Sequence, residues 1–167
     1  MGRIYDNAES VEAVAKTLIP SYHPELATAR IRYVYVDKAS NKGGKVQLIK
    51  VRKVSGVLQF LLDLDFLVEV PLDKWNELSA AQRNALVDHG LERCYGQEDE
   101  EDPGAPMKWV LRDPDVQEFG TILRRHGAWN PDLAGFTSIA QGIDIDEVMG
   151  AQQGEEEESD NVSQTLS

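Results

Sequence analysis

A single cysteine, Cys94, stands in the whole chain, which excludes an intramolecular disulfide and a thiolate-rich zinc site. Long apolar runs are missing too: nothing approaches the roughly 20 residues that cross a bilayer. The start, Met1 to Asp6, has no apolar signal core, and Gly2 opens no myristoylation pattern, because Asp6 stands where Ser or Thr is needed. These absences lead us to expect a cytoplasmic protein with no membrane partner. Histidine is scarce, and His23, His89 and His126 show no metal-ligand spacing among themselves. No glycine-rich phosphate loop is present, since Asn41 to Lys45 lacks the P-loop spacing and precedes a strand rather than a helix. Basic charge is in deficit, with 17 Lys and Arg against 29 Asp and Glu. A duplex-binding domain carries a basic face, so direct nucleic-acid binding is not expected.

The net charge of −12 is unevenly spread. Glu98, Asp99, Glu100, Glu101 and Asp102 form one acidic run, and Glu155 to Glu158 with Asp160 form another. The plain reading is a solvated loop and a solvated tail. The sharper one is a surface that docks on a basic partner or imitates the phosphates of DNA.

With 167 residues the chain suffices for one domain with a hydrophobic core. We expect that domain over 1–140, followed by an acidic, disordered tail over 141–167. Val11, Val14, Ala15 and Leu18 predict a helix over 6–19 ended by Pro20, then a short helical turn from Glu25 to Ala29. Strands are expected over 30–36 and 45–54, joined through a turn at Asn41 to Gly44. The most apolar stretch, Val57 to Val70, reads as the central strand or as two short elements bent near Asp63, with Pro71 ending it. Ser79 and Gln82 form a capping box for a helix reaching Cys94, in which Ala85, Leu86, Leu91 and Cys94 make the apolar stripe. Lys108 to Leu111 is a short extended piece. Asp113-Pro114-Asp115 signals a further helix start, and Gly127 a stop. The expected fold class is α+β, a small mixed sheet packed by helices.

Asp65 to Val70, Trp75-x-x-Leu78, Gln82 to His89, Asp115 to Phe119 and Arg124 to Trp129 occur in an order and spacing that resembles the phage metallopeptidase family, small zincin-like proteins. The resemblance implies a helix carrying His-Glu-x-x-His and a second helix opening with His-Asp. In this chain the first histidine matches His89, but the general-base glutamate falls on Gly90 and the second histidine on Arg93. The downstream histidine falls on Pro114, ahead of Asp115. A catalytic zinc needs three protein ligands and an open position, and this frame supplies His89 alone, so no cofactor is expected.

The relic cleft is then His89, Gly90, Glu92, Arg93, Asp115 and Glu118, with His89 partly buried and hydrogen-bonded. Arg93 is expected to pair with Asp115 or Glu118 where the metal would have been. The resemblance suggests a phage-encoded pseudoenzyme in the host cytoplasm that binds a basic or nucleic-acid-binding host protein through the Glu98 to Asp102 run. Two alternatives stand beside it: an active zinc metallohydrolase using His89, Asp115 and a further ligand, and an acidic DNA mimic.

Overall fold

Residues 2–141 are described by the computed structural model. The chain divides into two compact units, one spanning Met1–Asp113 and the other beginning at Pro114. That boundary falls inside the span read from the sequence as one domain. The expected acidic tail lies outside the described residues apart from residue 141, which is helical.

The first unit opens with β1 (Tyr5–Asn7), α1 (Glu9–Tyr22) and a 3-10 turn (Pro24–Thr28), which lead into β2 (Ile31–Val36). There follow β3 (Ser40–Lys42), β4 (Lys45–Gln47), β5 (Lys50–Lys53), α2 (Gly56–Leu62), β6 (Phe66–Pro71), α3 (Leu72–Glu77), α4 (Ala80–Glu92), β7 (Cys94–Gln97) and β8 (Lys108–Leu111). The main sheet has the order β1-β2-β6-β5; β2 and β6 are parallel and the outer pairs antiparallel. This is an α+β fold with a small mixed sheet.

The register explains the core. Tyr33 lies opposite Val68 and Tyr35 opposite Val70, with Val51 of β5 across from Val68. Side chains alternate across a strand, so these residues share one face. Val11 and Ala15 of α1, Trp75 of α3, and Val87 and Leu91 of α4 are buried in the same cluster. Trp109 of β8 meets Phe66 edge-on at 5.9 Å between ring centres. Each large apolar side chain fully buried here contributes roughly 1.5–3 kcal/mol.

Several expectations hold. The strand at 31–36 and the helical turn after Pro24 are present. The turn at Gly43-Gly44 closes the β3–β4 hairpin, both glycines at positive φ (59° and 81°), as a two-residue hairpin turn requires. Others are corrected. The first helix starts later and runs through Pro20 to Tyr22, with Pro20 in its last turn. The strand expected over 45–54 is two strands, broken at Leu48-Ile49.

The apolar stretch 57–70 bends at Asp63, as one reading had it, but its first half is the helix α2 and not a strand. Asp63 closes α2 in the left-handed region (φ 52°), a conformation that short polar side chains tolerate. Beyond it Asp65 is buried and holds the crossing of β2, α2 and β6 together. Its Oδ2 accepts from the Arg30 backbone N–H (2.8 Å) and Nε (3.1 Å), and its Oδ1 from Arg30 Nη2 (2.9 Å) and Gln59 Nε2 (2.9 Å). Asp63 also pairs with Arg30. The Asp63-x-Asp65 pair is thus a strand-end anchor.

In the second unit the helix expected from Asp113 begins only at Gly120: α5 spans Gly120–His126 and stops at Gly127 (φ 65°). Asn130-Pro131 opens another helical stretch over 131–141, where Asn130 Oδ1 accepts from the Leu133 N–H at 2.8 Å.

Candidate functional site

The helix α4 begins with the expected capping box. The Gln82 N–H donates to Ser79 Oγ (3.2 Å), and the Ser79 N–H donates to Gln82 Oε1 (2.9 Å). One turn on, the Arg83 guanidinium covers the Trp75 ring at 5.0 Å while its Nε donates to the Trp75 carbonyl (3.1 Å). The buried stripe differs from the expected one. Ala85 is exposed, Leu86 is half-buried, and Val87, Gly90 and Leu91 face the core. Cys94 is buried as expected but belongs to β7 rather than to the helix.

That rotation fixes the fate of each relic position. Gly90 lies against the edge of the sheet: a Cβ there would stand 2.5 Å from Ile49 Cδ1 and 3.6 Å from Val51 Cγ2. The position that the resemblance assigns to the general base is therefore filled by Ile49. His89 is exposed and makes no side-chain hydrogen bond among the described residues, contrary to the expected partly buried one. Arg93 caps the end of α4 and turns to the second hairpin. Its Nε donates to the Arg112 carbonyl (3.2 Å), the Arg112 N–H donates to the Arg93 carbonyl (2.8 Å), and its Nη2 lies 3.5 Å from Asp113 Oδ1. Its acidic partner is Asp113, where Asp115 or Glu118 was expected.

Glu92 is occupied as well. It pairs with Arg112, whose Nε donates to the Glu92 carbonyl (3.2 Å). In the second unit, Asp115 is exposed, and Glu118 accepts from the Trp129 indole N–H (3.1 Å) and from the Phe119 N–H (2.7 Å).

Sequence reasoning missed His23 and Asp88. His23 is only 2% exposed at the end of α1; its Nε2 is 2.6 Å from Asp88 Oδ1 and its Nδ1 3.6 Å from Glu92 Oε2. The signal was there: Asp88 and Glu92 are an i, i+4 acid pair one residue ahead of His89 and Arg93. Asp88 ties α4 to the end of α1, Arg93 ties it to the end of β8, and Glu92 reaches both, pairing with Arg112 and lying 3.6 Å from His23.

Cys94 donates its thiol to the Gly90 carbonyl (Sγ to O, 3.7 Å). Burial pushes the thiol up to about 12, against a small opposing pull from Arg93. The native protein is therefore expected to resist disulfide-exchange reagents at pH 8, with one thiol titrating only on denaturation. Because the folded value is raised, this thiol's stabilising contribution is complete below its unfolded value near 8.5 and fades as pH climbs toward about 12.

The acidic run sits in the loop between β7 and β8, and Glu98 to Asp102 are all exposed. Asp99 Oδ1 accepts from the N–H groups of Glu101 (2.9 Å) and Asp102 (3.2 Å), so the run is a shaped turn. Beside it lies a groove lined by Glu25, Tyr95, Glu98, Glu100 and Met107.

Residues 4–138 match the family described as "Putative phage metallopeptidase". The chain belongs to this family. No curated protein and no solved structure matches the chain significantly. Against the zinc chemistry implied by the phage metallopeptidase resemblance, the donor set here does not fit. His89 brings one lone pair, Gly90 none, and the Arg93 guanidinium is permanently cationic. Among the described residues no cluster of three or more His, Cys, Asp or Glu side chains could hold a metal ion. No helix among them is long and apolar enough to cross a membrane.

Proposed function

We propose that this member of the phage metallopeptidase family is phage-encoded and works by binding a protein instead of hydrolysing one. Its target would be a basic, nucleic-acid-associated host protein that it inhibits or redirects. The observation that carries the reading is Gly90 itself, buried without a side chain at the general-base position, with Ile49 Cδ1 packed 2.5 Å from where its Cβ would stand. The commitment of Arg93 to Arg112 and Asp113 supports it from the other half of the motif. The groove beside the acidic loop favours a cationic ligand: three carboxylates (Glu25, Glu98, Glu100) stand near an aromatic ring and a thioether.

The test has two arms. Full-length protein purified with added zinc should hold far less than one zinc per chain and should show no chelator-sensitive proteolysis. Stoichiometric zinc with chelator-sensitive cleavage overturns the proposal in favour of an active metallohydrolase. In pull-downs from host lysate, neutralising Glu98, Asp99, Glu100, Glu101 and Asp102 to their amides should cut recovery of basic proteins at least tenfold. Undiminished recovery removes the loop from the interface. A captured protein that DNA displaces from the wild type would instead favour the DNA-mimic reading.

A further inference from the structure

The fold gathers cations that the sequence scatters. Side chains alternate across a strand, so the main-sheet residues that turn away from the core share its other face. The register places Arg32 of β2 and Arg52 of β5 on either side of Leu67, and Val34 and Lys50 on either side of Glu69. Tyr5 of β1 lies opposite Val36 on the same face. The helices α1, α3 and α4 pack on the core face. The β3–β4 hairpin reaches one end of the other face, where Ser40 and Gln47 meet Arg3, Lys50, Glu69 and Pro71 around a small cleft. Lys42 and Lys45, directly opposite each other, share a hairpin face with Ser40 and Gln47. Like charges paired in this way repel, and an anion set against both relieves the repulsion.

Arg3, Arg32, Lys42, Lys45 and Lys50 are all exposed, and none makes an ion pair among the described residues. The one acid among the strand residues of this face, Glu69, is 7% exposed and is held by Arg52 (2.9 Å). Asp37, near Arg3, accepts from the Ile4 N–H (3.3 Å). Arg30, just before β2, is already paired with Asp63 and Asp65. We propose that this face of the sheet binds a single-stranded nucleic acid, with its cations on the phosphates and Tyr5 against a base. Charge complementarity calls for a polyanion. Arg32 and Arg52 stand two strands apart, about 10 Å, and Lys50 and Arg52 two residues apart, about 7 Å, so the positive charge forms a track and not a point. Tyr5, 55% exposed, decides among polyanions. The bases of a single strand stack on an open ring, whereas a duplex hides its base faces and an acidic polypeptide leaves the ring unused. Half-buried Val34 and Leu67 form an apolar floor between the charges. The chain's net charge of −12 works against any anion, but carboxylates farther than about 8 Å from the face are largely screened at physiological ionic strength. The acidic loop lies elsewhere, between β7 and β8, so this binding does not depend on the host-protein reading.

Fluorescence anisotropy of the full chain with a labelled oligothymidylate of 20 nucleotides, from about 50 to 200 mM KCl, tests the proposal. Binding should saturate, and log affinity should fall against log salt with a slope of roughly −2 to −3.5, as three to five phosphate contacts on a single strand require. Arg32→Gln with Lys50→Gln should weaken binding at least tenfold and make that slope shallower by about 1.4. Lys42→Gln with Lys45→Gln, in the exposed hairpin, serves the same purpose should the first pair disturb the sheet. Tyr5→Ala should weaken binding at least fivefold and leave the slope unchanged. No saturable binding at the lowest salt overturns the proposal, as does binding indifferent to both double variants. So does a duplex of the same length bound equally well. Displacement of the oligonucleotide by poly-glutamate at equal charge also overturns it, in favour of an acidic polypeptide.

Discussion

Gly90→Glu, the substitution that restores the family's general base, is expected to destabilise the protein by about 3 kcal/mol or more and to confer no peptidase activity. The Cβ alone would sit 2.5 Å from Ile49 Cδ1, and a carboxylate placed beyond it would enter the contact between α4 and the sheet edge. For a unit of this size the midpoint of thermal unfolding should fall by roughly 10 °C. A subtler pair of variants isolates the cause. Gly90→Ala alone sets the helix-propensity gain of up to about 1 kcal/mol against the Ile49 clash. In an Ile49→Val background, which removes Cδ1, the same substitution should become stabilising. Thermal melts of the four proteins measure this coupling. Additive effects would mean that Ile49 is not what fills the position.

Asp65→Asn should cost about 2–4 kcal/mol, read by denaturant unfolding at pH 7. The asparagine amide can accept at one atom only, whereas the carboxylate serves Arg30 at three points and Gln59 at a fourth. The loss has a pH signature. Burial by itself would raise the Asp65 carboxyl, but the Arg30 side chain, the Arg30 N–H and the Gln59 amide outweigh burial and hold it below the ordinary carboxylate range. A depressed folded value means that the stabilisation is complete above the unfolded value near 3.9 and disappears as pH falls through the lower folded one. The gap between wild type and Asp65→Asn should thus be widest near neutrality and narrow in acid. A gap independent of pH would show that the carboxylate's charge does not matter.

Where local chemistry decided a feature, the sequence was a reliable guide. Ser79 with Gln82, the Gly43-Gly44 turn and the Gly127 stop depend on residues within a few positions of each other, and all three are present. The failures arose where a distant partner intervened. Val57 to Leu62 is a continuous apolar run without usable periodicity, and what makes it a helix on the surface is a hydrogen bond from Gln59 to a buried carboxylate six residues on. Asp113 carries a helix-start signature, yet its carboxylate lies beside Arg93, while the Arg112 N–H is taken up by the Arg93 carbonyl; the helix begins seven residues later. At the candidate site, the loss of motif chemistry at Gly90 and Arg93 was legible letter by letter. What replaced it, Ile49 against one position and the β8 end against the other, lay 41 and 19 residues away in sequence.

The link between His23 and Asp88 spans 65 residues and sets a timetable for the nascent chain. At about 5–20 residues per second, ribosomal synthesis separates the two by roughly 3 to 13 seconds. During that interval α1 has no α4 to lie against, and β2 waits for β6 before it has a parallel neighbour. The apolar α2 emerges inside the same window, ahead of either. The protein thus exposes its greasiest segment before the His23–Asp88 fastening can be made, and its yield in cells should depend on trigger-type chaperones that shield such segments during synthesis.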